Sequence, residues 1–149
     1  MITVVRTTSD NPDFIALVKE LDAYLAMIDG DEHVFYAQLN TIGKLKHIVV
    51  LYADEQPVAC GAIKVFDEYT MEIKRMYVKP AYRGKGLASG VLKDLENWSK
   101  ELGCIRCVLE TGKRQADAIR LYEKHSYLPM ANFGQYQGVE NSLCFSKDI

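Results

Sequence analysis

Apolar positions along this chain alternate between two rhythms, one of strands and one of helices. Ile2-Thr3-Val4-Val5 predicts a short first strand, and Ser9-Asp10-Asn11-Pro12 is a helix-start cluster with proline suited to the first turn. Phe14, Leu17, Val18, Leu21, Leu25 and Ile28 then recur at helical spacing as far as the Asp29-Gly30 break. A second helix is expected over about 32–40. The β-branched run 46–53 (KHIVVLYA) turns through Asp54-Glu55-Gln56-Pro57 into 58–66, and a turn near Asp67-Glu68 leads into 69–79. Three strands with short connections predict an antiparallel meander. The rhythm then switches: Leu87, Val91, Leu92, Leu95 and Trp98 set a helical stripe ending near Leu102-Gly103. A strand over 104–110 and a helix over 116–125 follow. The strand–loop–helix–strand portion is long enough for a right-handed crossover, which would lay 70–79 and 104–111 parallel. The remainder, through Phe133 and Tyr136 to 142–146, reads as a terminal hairpin. The sum is a mixed α/β fold with a central mixed sheet of six to seven strands, antiparallel flanks, a parallel pair in the middle and about four helices.

The chain's 149 residues predict one domain, 1–149, able to bury roughly two-thirds of its unfolded surface. A net charge of −2 without a basic stripe argues against nonspecific nucleic-acid binding. Residues 1–8 (MITVVRTT) lack the apolar core of a signal peptide, and no apolar run approaches the ~18 residues of a membrane span. The expectation is therefore a cytoplasmic protein without membrane contact. Cys104 and Cys107 form a C-x-x-C, but in a strand residues three apart point to opposite faces, and no second pair completes a four-ligand set. No metal is expected. Cys60 and Cys144 read as small core residues.

The most informative segment is Arg83-Gly84-Lys85-Gly86-Leu87-Ala88, between a strand and a strongly periodic helix. A glycine-rich loop feeding a helix presents unpaired N–H groups at the positive end of the helix dipole, an arrangement suited to a diphosphate. Gly84 and Gly86 allow close approach of the main chain, and Arg83 and Lys85 add charge. No G-x-x-x-x-G-K-S/T is present, which argues against a nucleotide-hydrolysing phosphate loop.

With this loop the chain resembles the GNAT superfamily of acetyl-CoA-dependent N-acetyltransferases across essentially its whole length. Arg83–Ala88 is similar to that family's Q/R-x-x-G-x-G/A signature, preceded by Met76-Tyr77-Val78-Lys79-Pro80-Ala81-Tyr82 in the usual strand-to-loop context. Ala118-Ile119-Arg120-Leu121-Tyr122-Glu123-Lys124 resembles the family's A-I-x-L-Y-x-K helix. There are two departures. Gln115 stands where the family often has Asn, and His125-Ser126-Tyr127 replaces a Gly-aromatic exit, where Ser126 accepts a left-handed cap less readily than glycine. The exit turn is expected to differ.

The resemblance implies acetyl-CoA as co-substrate. Its pyrophosphate would sit on the N–H groups of 84–88. Its pantetheine arm would pair like an added strand with the backbone of Met76 and Val78, and Gln115 could reach the arm. The oxyanion donor would be the N–H of Met76 or Tyr77. Tyr122 matches the family tyrosine that protonates the departing thiolate; taken alone, it reads first as an aromatic packed on the sheet. Glu72 is the first candidate base, against the alternative of a strand carboxylate paired with a neighbouring lysine. Glu110 is the second, and could instead bind the substrate's ammonium group. His33 and His47 have no partner at ligand or triad spacing, His125 ends a helix, where a cation is favourable in any case, and no Gly-x-Ser-x-Gly elbow occurs.

The acceptor site is expected from helix 32–40 with Phe35 and Tyr36, the tip near Phe66-Asp67, and the final loop with Phe133, Tyr136 and Asn141. Aromatics among scattered acids suggest a small cationic amine, though such aromatics can equally form a homodimer surface. The expected reaction is direct acetyl transfer to a primary amine of a small molecule. Acetylation of a protein or peptide, and a noncatalytic acyl-CoA-binding module, are the alternatives.

Overall fold

The computed structural model describes residues 1–30 and 45–149. Seven strands form one sheet: β1 (Ile2–Thr7), β2 (His47–Ala53), β3 (Gln56–Asp67), β4 (Thr70–Val78), β5 (Arg106–Gly112), β6 (Leu128–Met130) and β7 (Ser142–Asp148), in the order β1-β2-β3-β4-β5-β7-β6. Three helices are described: α1 (Pro12–Asp29), α2 (Leu87–Glu101) and α3 (Ala116–Lys124). The expected helix over 32–40, with Phe35 and Tyr36, lies outside the described residues. All described strand pairs are antiparallel except β4 with β5, so the crossover through α2 makes the anticipated parallel pair.

The sheet is covered on both faces, which is why its strands read as nearly continuous apolar runs. In β2, Val49 and Leu51 enter the core under α2 with Val91, Leu92 and Leu95, while Ile48 and Val50 enter the core under α1 with Phe14, Leu17 and Leu21. Helix α1 starts where the sequence placed it. The Asn11 side chain accepts hydrogen bonds from the N–H groups of Asp13 and Phe14 at 2.8 and 3.2 Å, and Pro12 occupies the first turn.

The expected terminal hairpin is present: its arms are Leu128–Met130 and β7, Phe133 and Tyr136 lie in the connection between them, and β7 inserts between the first arm and β5. Inserting β7 gives β5 a seven-residue antiparallel partner, from Arg106/Asp148 to Gly112/Ser142. Two expectations are corrected. First, β5 starts at Arg106, so Cys104 precedes the strand and joins Cys107 in one core cluster instead of facing the other way. Burial pushes the Cys107 thiol up to about 11. Among the described residues no group of three or more His, Cys, Asp or Glu side chains could hold a metal. Secondly, the exit turn of α3 is the one glycine would make: Ser126 adopts φ +69°, and the Tyr127 N–H closes back on the Tyr122 carbonyl at 3.0 Å.

Candidate active site

A break in β4 builds the site. Its pairing with β3 shifts register between Cys60 and Ala62, and Arg75, on the strand opposite, takes φ +59°. The insertion reverses which side chains face α2. Met71 and Ile73 pack into the α2 core before the break, and Met76 and Val78 do so after it. Gly61 lies across from the bulge, where a Cβ would come within 2.6 Å of Met76 Sδ and 2.8 Å of both Val91 and Leu95. Cys60 Sγ donates to the Arg75 carbonyl at 3.4 Å, and Arg75 Nη1 bonds Asp22 at 2.8 Å. Bulge and α1 are thus tied together.

The same strand then parts from its parallel neighbour. Pairing of β4 with β5 stops at Ile73/Leu109, although β4 continues to Val78 and β5 to Gly112. The Lys79 N–H donates to the Val58 carbonyl at 2.9 Å. Hydrogen-bonded and non-bonded pairs alternate in an antiparallel ladder, so Tyr77/Cys60 is a bonded pair and Val78/Ala59 is not. Val78 therefore turns its main-chain groups away from β3 into the gap, and Met76 does likewise. Tyr77 turns its N–H toward Cys60, which leaves Met76 as the one of the two expected oxyanion donors that faces the gap.

At the outer end of this gap the chain passes through a 3-10 turn (Pro80–Tyr82) into the glycine loop. Gly84 and Gly86 both have φ +78°, a region that a side chain would strain. Gly86 is the N-cap of α2 with no side-chain cap, and the first turn of α2 carries no acid. The leading N–H groups of a 15-residue helix are thus left to a ligand or to solvent. In that first turn Ser89 Oγ lies 2.7 Å from His125 Nε2, a link between the start of α2 and the end of α3 that no sequence spacing discloses. Burial lowers the His125 pKa, opposing the charged form that a helix end would favour.

A cavity of about 560 Å³ runs from this loop to the interior. Its lining includes the predicted Met76, Tyr77 and Val78, the loop residues Arg83, Gly84, Gly86, Leu87 and Ala88, and Gln115 at the start of α3. Lys85 is not among the lining residues: its ammonium lies 5.4 Å from the ring centre of Tyr82. The inner end carries Glu72, Glu110, Tyr122 and Tyr136 together with Asp29, which in the sequence reads only as a helix terminator. Phe66 and Phe133 stack edge-to-face at 5.0 Å, and Phe133 reaches Tyr136 at 5.9 Å, but of these three only Tyr136 lines the cavity. Asn141 stays behind the site, its carbonyl accepting from the Lys113 N–H at 2.8 Å. Tyr36 lies outside the described residues.

The two carboxylates differ in their surroundings. Glu72 Oε2 is 3.4 Å from Lys74 Nζ, the lysine pairing that the sequence leaves open. Glu110 has a buried oxygen, Oε2, with no hydrogen-bond partner. Desolvation raises its carboxyl to about 7, with smaller upward contributions from Asp29 and Glu72; a Ser142 hydrogen bond and the Lys74 charge oppose them. Tyr122 is 5% exposed and packs edge-to-face on Tyr127 at 5.8 Å. Burial, and then the Glu110 charge, push its phenol well above the usual 10, so it keeps its proton.

The chain also has relatives among known proteins. The profile of the acetyltransferase (GNAT) family matches residues 14–127. The IAA acetyltransferase of Azospirillum brasilense is 31% identical over 150 residues, covering 99% of this chain and 98% of its own length. An uncharacterized N-acetyltransferase of Schizosaccharomyces pombe is 30% identical over 132 residues, 85% of this chain and 81% of that protein. Among solved structures, a Klebsiella pneumoniae protein assigned as an acyl-CoA N-acyltransferase aligns with a TM-score of 0.84 at 29% identity, over 99% of this chain and 97% of that one. A GNAT family acetyltransferase of Elizabethkingia anophelis, crystallised with acetyl-CoA bound, shares the fold at a TM-score of 0.70 and 17% identity, over 99% and 98%.

Proposed function

The chain belongs to the acetyltransferase (GNAT) family, and from that premise we propose that it moves an acetyl group from acetyl-CoA to a primary amine of a small molecule, with both substrates bound together. One observation carries this reading. A single cavity joins the uncapped start of α2 to the unpartnered oxygen of Glu110 and the buried Tyr122. The residues present fit the coenzyme. Free N–H groups and left-handed glycines suit its diphosphate, and the outward backbone of Met76 and Val78 suits the amides of its arm.

Acetyl-CoA supplies the acetyl group already activated as a thioester. The protein's work is to bind, orient and move protons. The N–H groups of 84–88 and the Met76–Val78 backbone align the arm along the gap, and Gln115 flanks it. Glu110, with its pKa near 7, takes a proton from the substrate ammonium and so makes the amine a nucleophile. The Met76 N–H faces the carbonyl oxygen as charge develops there. Tyr122 gives its proton to the departing sulfur and is reprotonated by the proton that the attacking nitrogen sheds as the amide forms. Glu72, neutralised in part by Lys74, lies on the acceptor side with Asp29 and Tyr136. Asp29, Glu72 and Glu110 outnumber Lys74 and Arg75 in this part of the lining, which favours a cationic acceptor over an anionic one.

Purified protein mixed with acetyl-CoA and panels of small amines and of peptides tests the reading. Free thiol should appear with a small amine. Release with peptides alone would move the assignment to protein acetylation. Coenzyme binding without thiol release from any acceptor would make the chain an acyl-CoA-binding module.

A further inference from the structure

Arg83 opens the loop before α2, yet its side chain reaches back to β4. Its Nε donates to the Val78 carbonyl at 2.9 Å. The guanidinium carbon lies 5.2 Å from the ring centre of Tyr24 on α1 and 5.7 Å from that of Tyr77 on β4. Val78 ends β4 in a non-hydrogen-bonded pair, so the carbonyl that Arg83 takes is the one turned into the gap. In a continuous sheet the next strand would satisfy that carbonyl. Here parallel pairing stops at Ile73/Leu109, and a side chain from the anion loop supplies the missing donor.

Two consequences follow from the chemistry of that contact. A strand-like arm whose amide is to pair with Val78 must compete for that carbonyl with a charged donor seated on two aromatic faces. The same guanidinium stands next in sequence to the free N–H groups of the loop, where a diphosphate would bind. A guanidinium set against phosphate gains an opposite charge and can form two parallel bonds, which a single bond to a neutral carbonyl does not offer. The exchange therefore favours an arm that brings phosphate with it and penalises one that does not.

We propose that Arg83 is a specificity-determining latch. It closes the Val78 carbonyl to phosphate-free arms and releases it to those carrying a diphosphate. The proposal rests on the coenzyme site described under Proposed function. Its substrate consequence is selection of nucleotide-bearing thioesters over simple pantetheine thioesters.

Calorimetric titration of wild type, Arg83→Ala and Tyr24→Leu with CoA, and separately with pantetheine, tests it. Pantetheine is the same arm and thiol without nucleotide or phosphate. Arg83→Ala is expected to bind CoA about tenfold more weakly and pantetheine about fivefold more tightly than wild type. The preference for CoA then drops by about fiftyfold. Tyr24→Leu keeps the charge but loosens its seat; it is expected to tighten pantetheine about threefold while CoA affinity stays within about twofold. If Arg83→Ala weakens CoA and leaves pantetheine unchanged, undetectable or weakened less than CoA, Arg83 is a plain anion ligand and the latch is overturned. Equal loss of both ligands makes it a structural tie, which overturns the latch as well. Should Arg83→Ala fail to fold, Tyr24→Leu decides: tighter pantetheine upholds the latch, and unchanged or weaker pantetheine ends it. Wild type that binds no CoA would remove the coenzyme site itself, and the latch with it. Wild type that binds CoA, with no gain of pantetheine in either variant, would keep the site and overturn the latch alone.

Discussion

Burial holds the Glu110 carboxyl near 7 because desolvation disfavours its charged form, and the Ser142 hydrogen bond and Lys74 charge offset only part of that cost. The same shift affects stability. The folded state binds this proton more tightly than the unfolded chain does. The protein therefore keeps the associated stability below about 4.5 and loses it as pH rises through about 7. Glu110→Gln removes that loss, so its melting temperature should gain on wild type as pH rises from about 4 to about 8. The relative gain is on the order of 3 kcal/mol. An equal gap at both ends would mean the carboxyl is unshifted. In catalysis the sign is opposite: kcat/KM of wild type should rise with pH through about 7 as the base deprotonates. Glu110→Gln should lower it about 100-fold and erase that limb. Tyr122→Phe should lower kcat by about 100-fold with CoA affinity unchanged, since only the proton is removed. A rate within a factor of about two would strip Tyr122 of its role. Sequence spacing puts Glu72 ahead of Glu110. What separates them is a lysine beside one and an unpartnered buried oxygen on the other, and neither is visible in a string of letters.

At the scale of elements, the bulge in β4 does most to shape the site, and its trace is present in the sequence. The run TMEIKRMYV has apolar residues at 71 and 73 and then at 76 and 78, a break in parity that a regular strand cannot hold. Gly61 is the other half of this device. Gly61→Ala would press a methyl against Met76, Val91 and Leu95; it should cost about 1–3 kcal/mol, read as a lower denaturation midpoint. The end of α3 provides a contrast. Ser126 sits at φ +69°, where a side chain is strained, so Ser126→Gly should stabilise the protein by about 1 kcal/mol in the same measurement. The loop–helix signature and the parallel β4–β5 pair are both readable from sequence, because glycine placement and crossover length are local properties. The insertion of β7 between β5 and β6 is not, because strand pairing across the sheet leaves no local mark.

Across the whole molecule, one cavity connects two unlike ends. The outer end is a helix start left without a cap, and the inner end is a buried acid and a buried phenol beside a strand that has lost its neighbour. No described helix is long and apolar enough to cross a membrane. The side proposed for the acceptor is the least determined by sequence, since its lining draws on separate segments: the end of α1, the middle of β4, the end of β5 and the connection to β7. The decisive experiment is a crystal structure of the protein grown with millimolar CoA. Diphosphate oxygens are expected within hydrogen-bonding distance of the N–H groups of 84–88, with the sulfur between Met76 and Tyr122. Coenzyme bound elsewhere on the chain, or absent at that concentration, would contradict the coenzyme site and the chemistry built on it.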